Sequence, residues 1–266
     1  MQPLKPRRGG GIIQRHIPQW LRNLISMNPQ KTIFITGTSS GIGNGLARYY
    51  LEQGHRVLGL NRRRPEDLLQ YEAFRFMSTD LGQMEEISPS ITQLTNDIQR
   101  LDLVILNAGV LGNFGDLGDT PLSDLSHTME VNVWANKLVL DALFEQGITI
   151  NQVVSISSGA SVNGNRGWSG YSLSKATLNM LMKLYAHEQP ATHFCALSPG
   201  IVDTPILEYL CSRESDTRYP SLDVICAKRH TSEMPAPDQA APYLANVMAE
   251  LPKIVPSGEY ADVRTL

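Results

Sequence analysis

Tyr171 and Lys175 stand one helical turn apart in the run Tyr171-Ser172-Leu173-Ser174-Lys175, and their types and spacing suit proton transfer. Four positions apart on a helix, two side chains share one face. A free phenol titrates near ~10 and is a poor acid–base catalyst at neutral pH. An ammonium a few ångströms away favours the phenolate and draws that value toward the working range. Ser158, thirteen residues upstream, offers a hydroxyl that can hold the carbonyl or alcohol oxygen exchanging the proton. The same tyrosine–lysine spacing also occurs in ordinary amphipathic helices, so the pair needs a second constellation beside it.

That constellation lies near the start of the ordered pattern. Lys31 to Ile35 reads as a short buried strand and runs into Thr36-Gly37-Thr38-Ser39-Ser40-Gly41-Ile42-Gly43. From Ile42 to Gln53 a helical stripe follows, with Ile42, Leu46, Ala47, Tyr50 and Leu51 on one face. Strand, glycine turn and helix present backbone N–H groups and a helix N-terminus to a phosphate. The spacing is GxxxGxG, which is neither the GxGxxG fingerprint nor a P-loop.

With both motifs placed, the chain resembles the short-chain dehydrogenase/reductase family in its single-domain form. Further matches fall in the family's order. Asp80-Leu81 follows the third strand, where the resemblance implies an adenine contact. Asn107-Ala108-Gly109 closes the fourth strand, as a tight exit and a cofactor contact. Asn132, awkward inside a helix, matches the family's catalytic-site asparagine. Ser198 to Thr204 ends the sixth strand, and Pro199, Gly200, Ile201, Val202 and Thr204 match the segment that holds the nicotinamide. The thirteen-residue spacing to Tyr171 selects Ser158 over its neighbour Ser157. The match covers residues 31 to 264.

The resemblance implies an NADPH-dependent carbonyl reductase. In it Tyr171 donates the proton, Ser158 positions the oxygen, Lys175 lowers the tyrosine pKa and binds the nicotinamide ribose, and Asn132 holds a water. Two alternatives keep the same residues: an alcohol dehydrogenase running in reverse, and a non-catalytic cofactor-sensing or scaffold protein. Arg166-Gly167-Trp168 and Gly109-Val110-Leu111-Gly112 resemble the sepiapterin reductase and benzil reductase branch, which implies an aromatic or vicinal dicarbonyl substrate. NADP(H) is favoured over NAD(H) because no acidic residue ends the second strand. Asn61 stands there, and Arg62, with Arg63 second, can pair with a 2′-phosphate. The variable lid spans 205–235, where Leu207, Tyr209, Leu210, Tyr219, Val224 and Ile225 offer an apolar lining.

The elements that must position these groups alternate. Strands are expected near 32–36, 56–61, 74–79, 101–106, 151–157, 192–198 and 258–263, with helices near 42–53, 83–99, 121–146, 169–189 and 237–250. That order predicts an α/β fold, a single-domain Rossmann-type doubly wound parallel sheet with helices on both faces. The 266 residues, 42% hydrophobic and 18% charged, fit one globular domain. Cys195, Cys211 and Cys226 form no CxxC and no metal cluster, and their scatter suits a reducing, cytoplasmic compartment. No metal, nucleic acid or membrane partner is expected.

Residues 1–30 differ. They carry Lys5, Arg7, Arg8, Arg15 and Arg22 and no acidic residue, and without these five the chain holds 18 basic against 26 acidic residues. A targeting segment, an arm or extra helix over 17–25, and a true start at Met27 all remain open. The resemblance also implies a homodimer or homotetramer paired through the helices at 121–146 and 169–189. Leu122, Val133, Leu138, Leu178, Met182 and Tyr185 supply apolar surface there.

Overall fold

Alternation of apolar residues along each strand sorts the core into two layers. In a computed structural model describing residues 29–266, β1 (Thr32–Thr36) sends Ile33 and Ile35 to one face and Phe34 to the other. The same two-residue period recurs in β5 (Leu103–Leu106) and β8 (His193–Ser198), where Phe194 and Cys195 part to opposite faces. With β2 (Arg56–Asn61), β3 (Phe74–Ser78), β7 (Gln152–Ile156) and β9 (Tyr260–Asp262), these strands form a seven-stranded sheet in the order β3-β2-β1-β5-β7-β8-β9. Every pair in it is parallel. The chain has the Rossmann-type doubly wound fold.

One face is covered by α1 (Gly41–Glu52) and α9 (Pro237–Ile254), which bury Leu46, Tyr50, Leu244 and Met248. The other is covered by α2 (Met84–Leu94), α4 (Ala135–Glu145) and α6 (Ser169–Glu188) through Ile87, Ile91, Leu140, Leu143, Leu178 and Met182. Phe34 is fully buried, and truncating such a ring to alanine costs about 3–5 kcal/mol.

Several elements differ from the periodicity. The helix expected over 83–99 ends at Leu94, and the strand expected over 101–106 is split. Its start, β4 (Arg100–Leu101), pairs instead with β6 (Thr149–Ile150) in a separate two-stranded ladder. The helix expected over 121–146 is α3 (Leu122–Met129) and α4 joined by a wide π-type turn at Glu130–Trp134. A short α5 (Ala160–Asn163) follows β7. The lid contains two short helices, α7 (Pro205–Cys211) and α8 (Pro220–Cys226).

The scatter of the cysteines does not survive folding. Cys211 and Cys226 close α7 and α8 and are joined by a disulfide across a separation of 15 residues, while Cys195 is free and buried in β8. A linear reading misses such a pair because no local spacing marks it. The readings made for residues 1–28, including the helix at 17–25 and a start at Met27, lie outside the described residues. Among the described residues, no helix is long and apolar enough to cross a membrane.

Candidate active site

Strand order reverses beside β1, and there the C-terminal strand ends open into a cleft of ≈ 590 Å³. The glycine turn forms its floor. Gly37 and Gly41 take φ of 78° and 62°, the left-handed region that a side chain rarely adopts. A Cβ on Gly43 would stand 2.3 Å from both the Gly37 carbonyl and Asn107 Nδ2, so α1 can pack onto the turn only through a glycine. Asn107 clasps the turn by donating from Nδ2 to the Thr36 and Gly37 carbonyls at 3.0 and 3.1 Å. The backbone N–H groups of Asn107 and Ala108 both donate to Thr36 Oγ1 at 3.0 Å. Ser39, Ser40, Gly41 and Ile42 line the cleft at the start of α1. The unpaired first-turn N–H groups of a helix suit a phosphate there.

Thr38 and Asn61 are buried side by side. The Thr38 amide and hydroxyl both donate to Asn61 Oδ1, at 3.1 and 2.5 Å, and Asn61 Nδ2 donates to the Arg63 carbonyl at 2.5 Å. Asn61 is therefore occupied in shaping the turn. Arg62 lies 3.4 Å from Asp80 Oδ2, whereas Arg63 Nη2 reaches back to Ser40 Oγ at 3.2 Å. Of the two arginines, Arg63 is the one beside the glycine turn. Leu81 is buried beneath this end, and the Thr79 hydroxyl is buried without a partner in the same wall. These features fit a dinucleotide with its adenosine half toward Arg62, Arg63 and Asp80.

The residues expected to move the proton stand along the cleft from there. Tyr171 and Lys175 lie on α6, with Lys175 Nζ 5.6 Å from the centre of the Tyr171 ring. Lys175 Nζ also donates to the Ile156 carbonyl at 2.7 Å, and burial pushes its pKa down to about 8. Burial pushes Tyr171 upward, against an opposing hydrogen bond from Ser158. Removal from water is the larger of these two causes, so the upward direction prevails. Ser158 lines the cleft and its Oγ accepts from the Ala160 amide at 3.1 Å. Ser157 is buried and donates to Asn179 Oδ1 at 2.6 Å.

Asn132 stands behind this row and does not line the cleft. The wide turn at 130–134 aims its amide at the loop after β5. Asn132 Oδ1 accepts from the Val110 amide at 2.7 Å, and Nδ2 donates to the Val110 carbonyl at 2.8 Å. The second Nδ2 donor goes to Ser174 Oγ at 2.9 Å, and Ser174 in turn donates to the Tyr171 carbonyl at 2.8 Å. The amide thus ties three elements together and keeps no donor for a water. Asn136 Nδ2 donates to the Asn132 carbonyl at 2.8 Å. Gly109 lets them close, since a Cβ there would lie 3.0 Å from Asn132 Oδ1 and 3.6 Å from Lys175 Nζ. The sequence reading did not single out Ser174. Its signal is a small polar residue one position before the lysine, which on α6 points inward.

The far end of the cleft is apolar. Val110, Trp168, Ile206, Leu207 and Ile225 line it, and the segment Pro199, Gly200, Ile201, Val202 and Thr204 runs along the cleft to the glycine turn, where Thr204 lies beside Gly41. Trp168 packs edge-on to Phe114 at 5.3 Å and lies 6.0 Å from Tyr171, and its Nε1 donates to Ser221 Oγ on α8 at 3.2 Å. Of the lid residues expected to line a pocket, Leu207 and Ile225 do so. Leu210 and Tyr219 are buried in the aromatic cluster beneath, while Tyr209 and Val224 face solvent.

The sequence profile of the short chain dehydrogenase family matches residues 31–215. The chain belongs to that family. It is an NAD(P)-dependent oxidoreductase. A benzil reductase ((S)-benzoin forming) of Bacillus subtilis is 28% identical over 242 residues, 86% of this chain and 97% of the relative. A benzil reductase of Saccharomyces cerevisiae is 30% identical, spanning 65% of this chain and 72% of its own. Among solved structures, the KRED1-Pglu enzyme superposes with a TM-score of 0.76 at 22% identity, over 87% of this chain and 100% of that one. A short chain dehydrogenase from Shigella flexneri complexed with NADP gives 0.71 at 22% identity, over 89% and 98%.

Proposed function

We propose that this oxidoreductase is an NADPH-dependent reductase of uncharged apolar ketones, with aromatic and vicinal dicarbonyl compounds as its best substrates. One observation carries the reading: Ser158, Tyr171 and Lys175 line the same cleft as the glycine turn, at its apolar end. The charged side chains Arg62, Arg63 and Asp80 gather at the opposite end.

When bound, the nicotinamide supplies a hydride. Ser158 would hold the substrate oxygen, and Tyr171 would deliver the proton from its hydroxyl. The upward shift of Tyr171 keeps that proton in place at neutral pH. Lys175 remains largely charged below about 8 and would favour the phenolate as the proton leaves. Both states suit reduction, since oxidation needs a phenolate base at the outset. Asn132 and Ser174 hold α6 and the Val110 loop in register, so they act by position. Trp168 and the lid residues exclude water from the carbonyl and offer flat apolar surface to an aryl group. The similarity to benzil reductases supports this substrate class.

The test is a panel of aryl ketones, diketones, aliphatic ketones and keto acids, assayed for NADPH and NADH consumption with wild type and Tyr171→Phe. Aromatic diketones with NADPH should lead, and the variant should lose at least about 100-fold in kcat while binding NADPH normally. A loss under about tenfold, or a preference for keto acids, would overturn the reading.

A further inference from the structure

The geometry points to a thiol–disulfide gate over the substrate end of the cleft, formed by Cys211 and Cys226. It regulates the carbonyl site proposed above and rests on that reading for its effect on turnover.

Besides this bond the lid is held by the small apolar cluster in which Leu210, Tyr219 and Leu222 meet Phe114 and Trp168, and by the hydrogen bond from Trp168 to Ser221. α7 and α8 have seven residues each, and each buries a single side chain fully, Leu210 and Leu222. Helices of two turns do not persist unaided in water, so their attachment decides whether they stay formed. Their cleft-lining residues are Ile206 and Leu207 on α7 and Ile225 on α8, the last adjacent to Cys226. The disulfide joins the two C-terminal ends at a Cα separation of 5.4 Å. It closes the loop between them and so limits how far the two walls can part. Both cysteines are half-buried, within reach of a small reagent, and neither belongs to the catalytic row. Cys195 is enclosed in β8 with its thiol pushed up to about 12 by burial, which leaves the lid pair as the thiol chemistry available to solvent.

Opening the gate takes a dithiol. A thiolate of the reductant attacks one sulfur, the bond between Cys211 and Cys226 breaks, and a mixed disulfide forms. The reductant's second thiol then closes on its first, releasing a cyclic disulfide. Two electrons and two protons pass from the dithiol to the protein, which ends with two free thiols.

The experiment compares protein purified without reductant, the same protein after dithiothreitol, and the variant Cys211→Ser/Cys226→Ser. Hydrogen exchange over residues 205–226, which needs no turnover, should accelerate at least about tenfold on reduction and in the variant. KM for benzil should rise at least about fivefold, with kcat and NADPH affinity within about twofold. Oxidised dithiothreitol should reverse both changes in wild type and neither in the variant. Unchanged exchange, or two free lid thiols in the protein as purified, would overturn the gate. Faster exchange without turnover of any ketone would leave the gate standing and remove the carbonyl reading instead.

Discussion

Under the proposed reaction, Lys175 is the residue whose state would set the working range of the site. Its pKa near 8 means that it is charged below that value and loses its charge as pH rises through it. Tyr171, shifted upward, keeps its proton throughout that interval. The kcat/KM for ketone reduction should therefore be level near neutrality and fall with an apparent pKa of about 8. A rate that climbs through this region would rule out the charged Lys175 as the working form. Arg63→Ala should weaken NADPH binding by about 1–3 kcal/mol and spare NADH. Arg62→Ala should do less, because Arg62 is turned toward Asp80 while Arg63 reaches Ser40. Titration calorimetry with both cofactors decides between them, and equal losses for NADPH and NADH in Arg63→Ala would remove the 2′-phosphate contact.

Helix α6 serves two surfaces at once. Its inner face carries Leu178, Met182 and Tyr185 into the core, and its outer face leaves Leu173, Met180 and Leu184 exposed by 49%, 56% and 51%. These three fall on one stripe, beside Leu122 and Trp134 on the neighbouring segment, also exposed. We propose that this stripe pairs two copies of the chain. Met180→Glu with Leu184→Glu should yield a folded monomer by light scattering, and an unchanged oligomeric mass would move the interface elsewhere. Of the residues expected to supply apolar surface for pairing, Val133, Leu178, Met182 and Tyr185 are buried in the core and Leu122 is exposed, because periodicity cannot tell an apolar stripe facing the sheet from one facing another subunit. The strands, the glycine turn and the Tyr171–Lys175 pair were legible because each depends on a local period or a local spacing. The wide turn at Asn132, the inward Ser174 and the Cys211–Cys226 bond were not, because their partners lie far off in sequence. The spacing of Tyr171 and Lys175 reports the lysine and says nothing of the burial that raises the tyrosine.

At the scale of the molecule, every element that the site uses lies within residues 31–266. We propose that the basic segment before them is dispensable, so that a chain of residues 27–266 keeps its oligomeric mass and its activity. Loss of either, by light scattering or turnover, would make that segment part of the working structure. The parallel sheet also gives the molecule a polarity. All seven main strands point their C-terminal ends toward the cleft, so their N-terminal ends lie on the side away from it. The turn at Gly147, between α4 and β6, lies on that side; the space around it is open, but its φ of 71° is one that a side chain rarely adopts. It is separated from the cleft by the length of a strand, about 16 Å for five residues. A tether to a solid support placed at the exposed Glu145, beside this turn, would thus hold the enzyme by the side away from the cleft, with the cleft turned outward to its substrates.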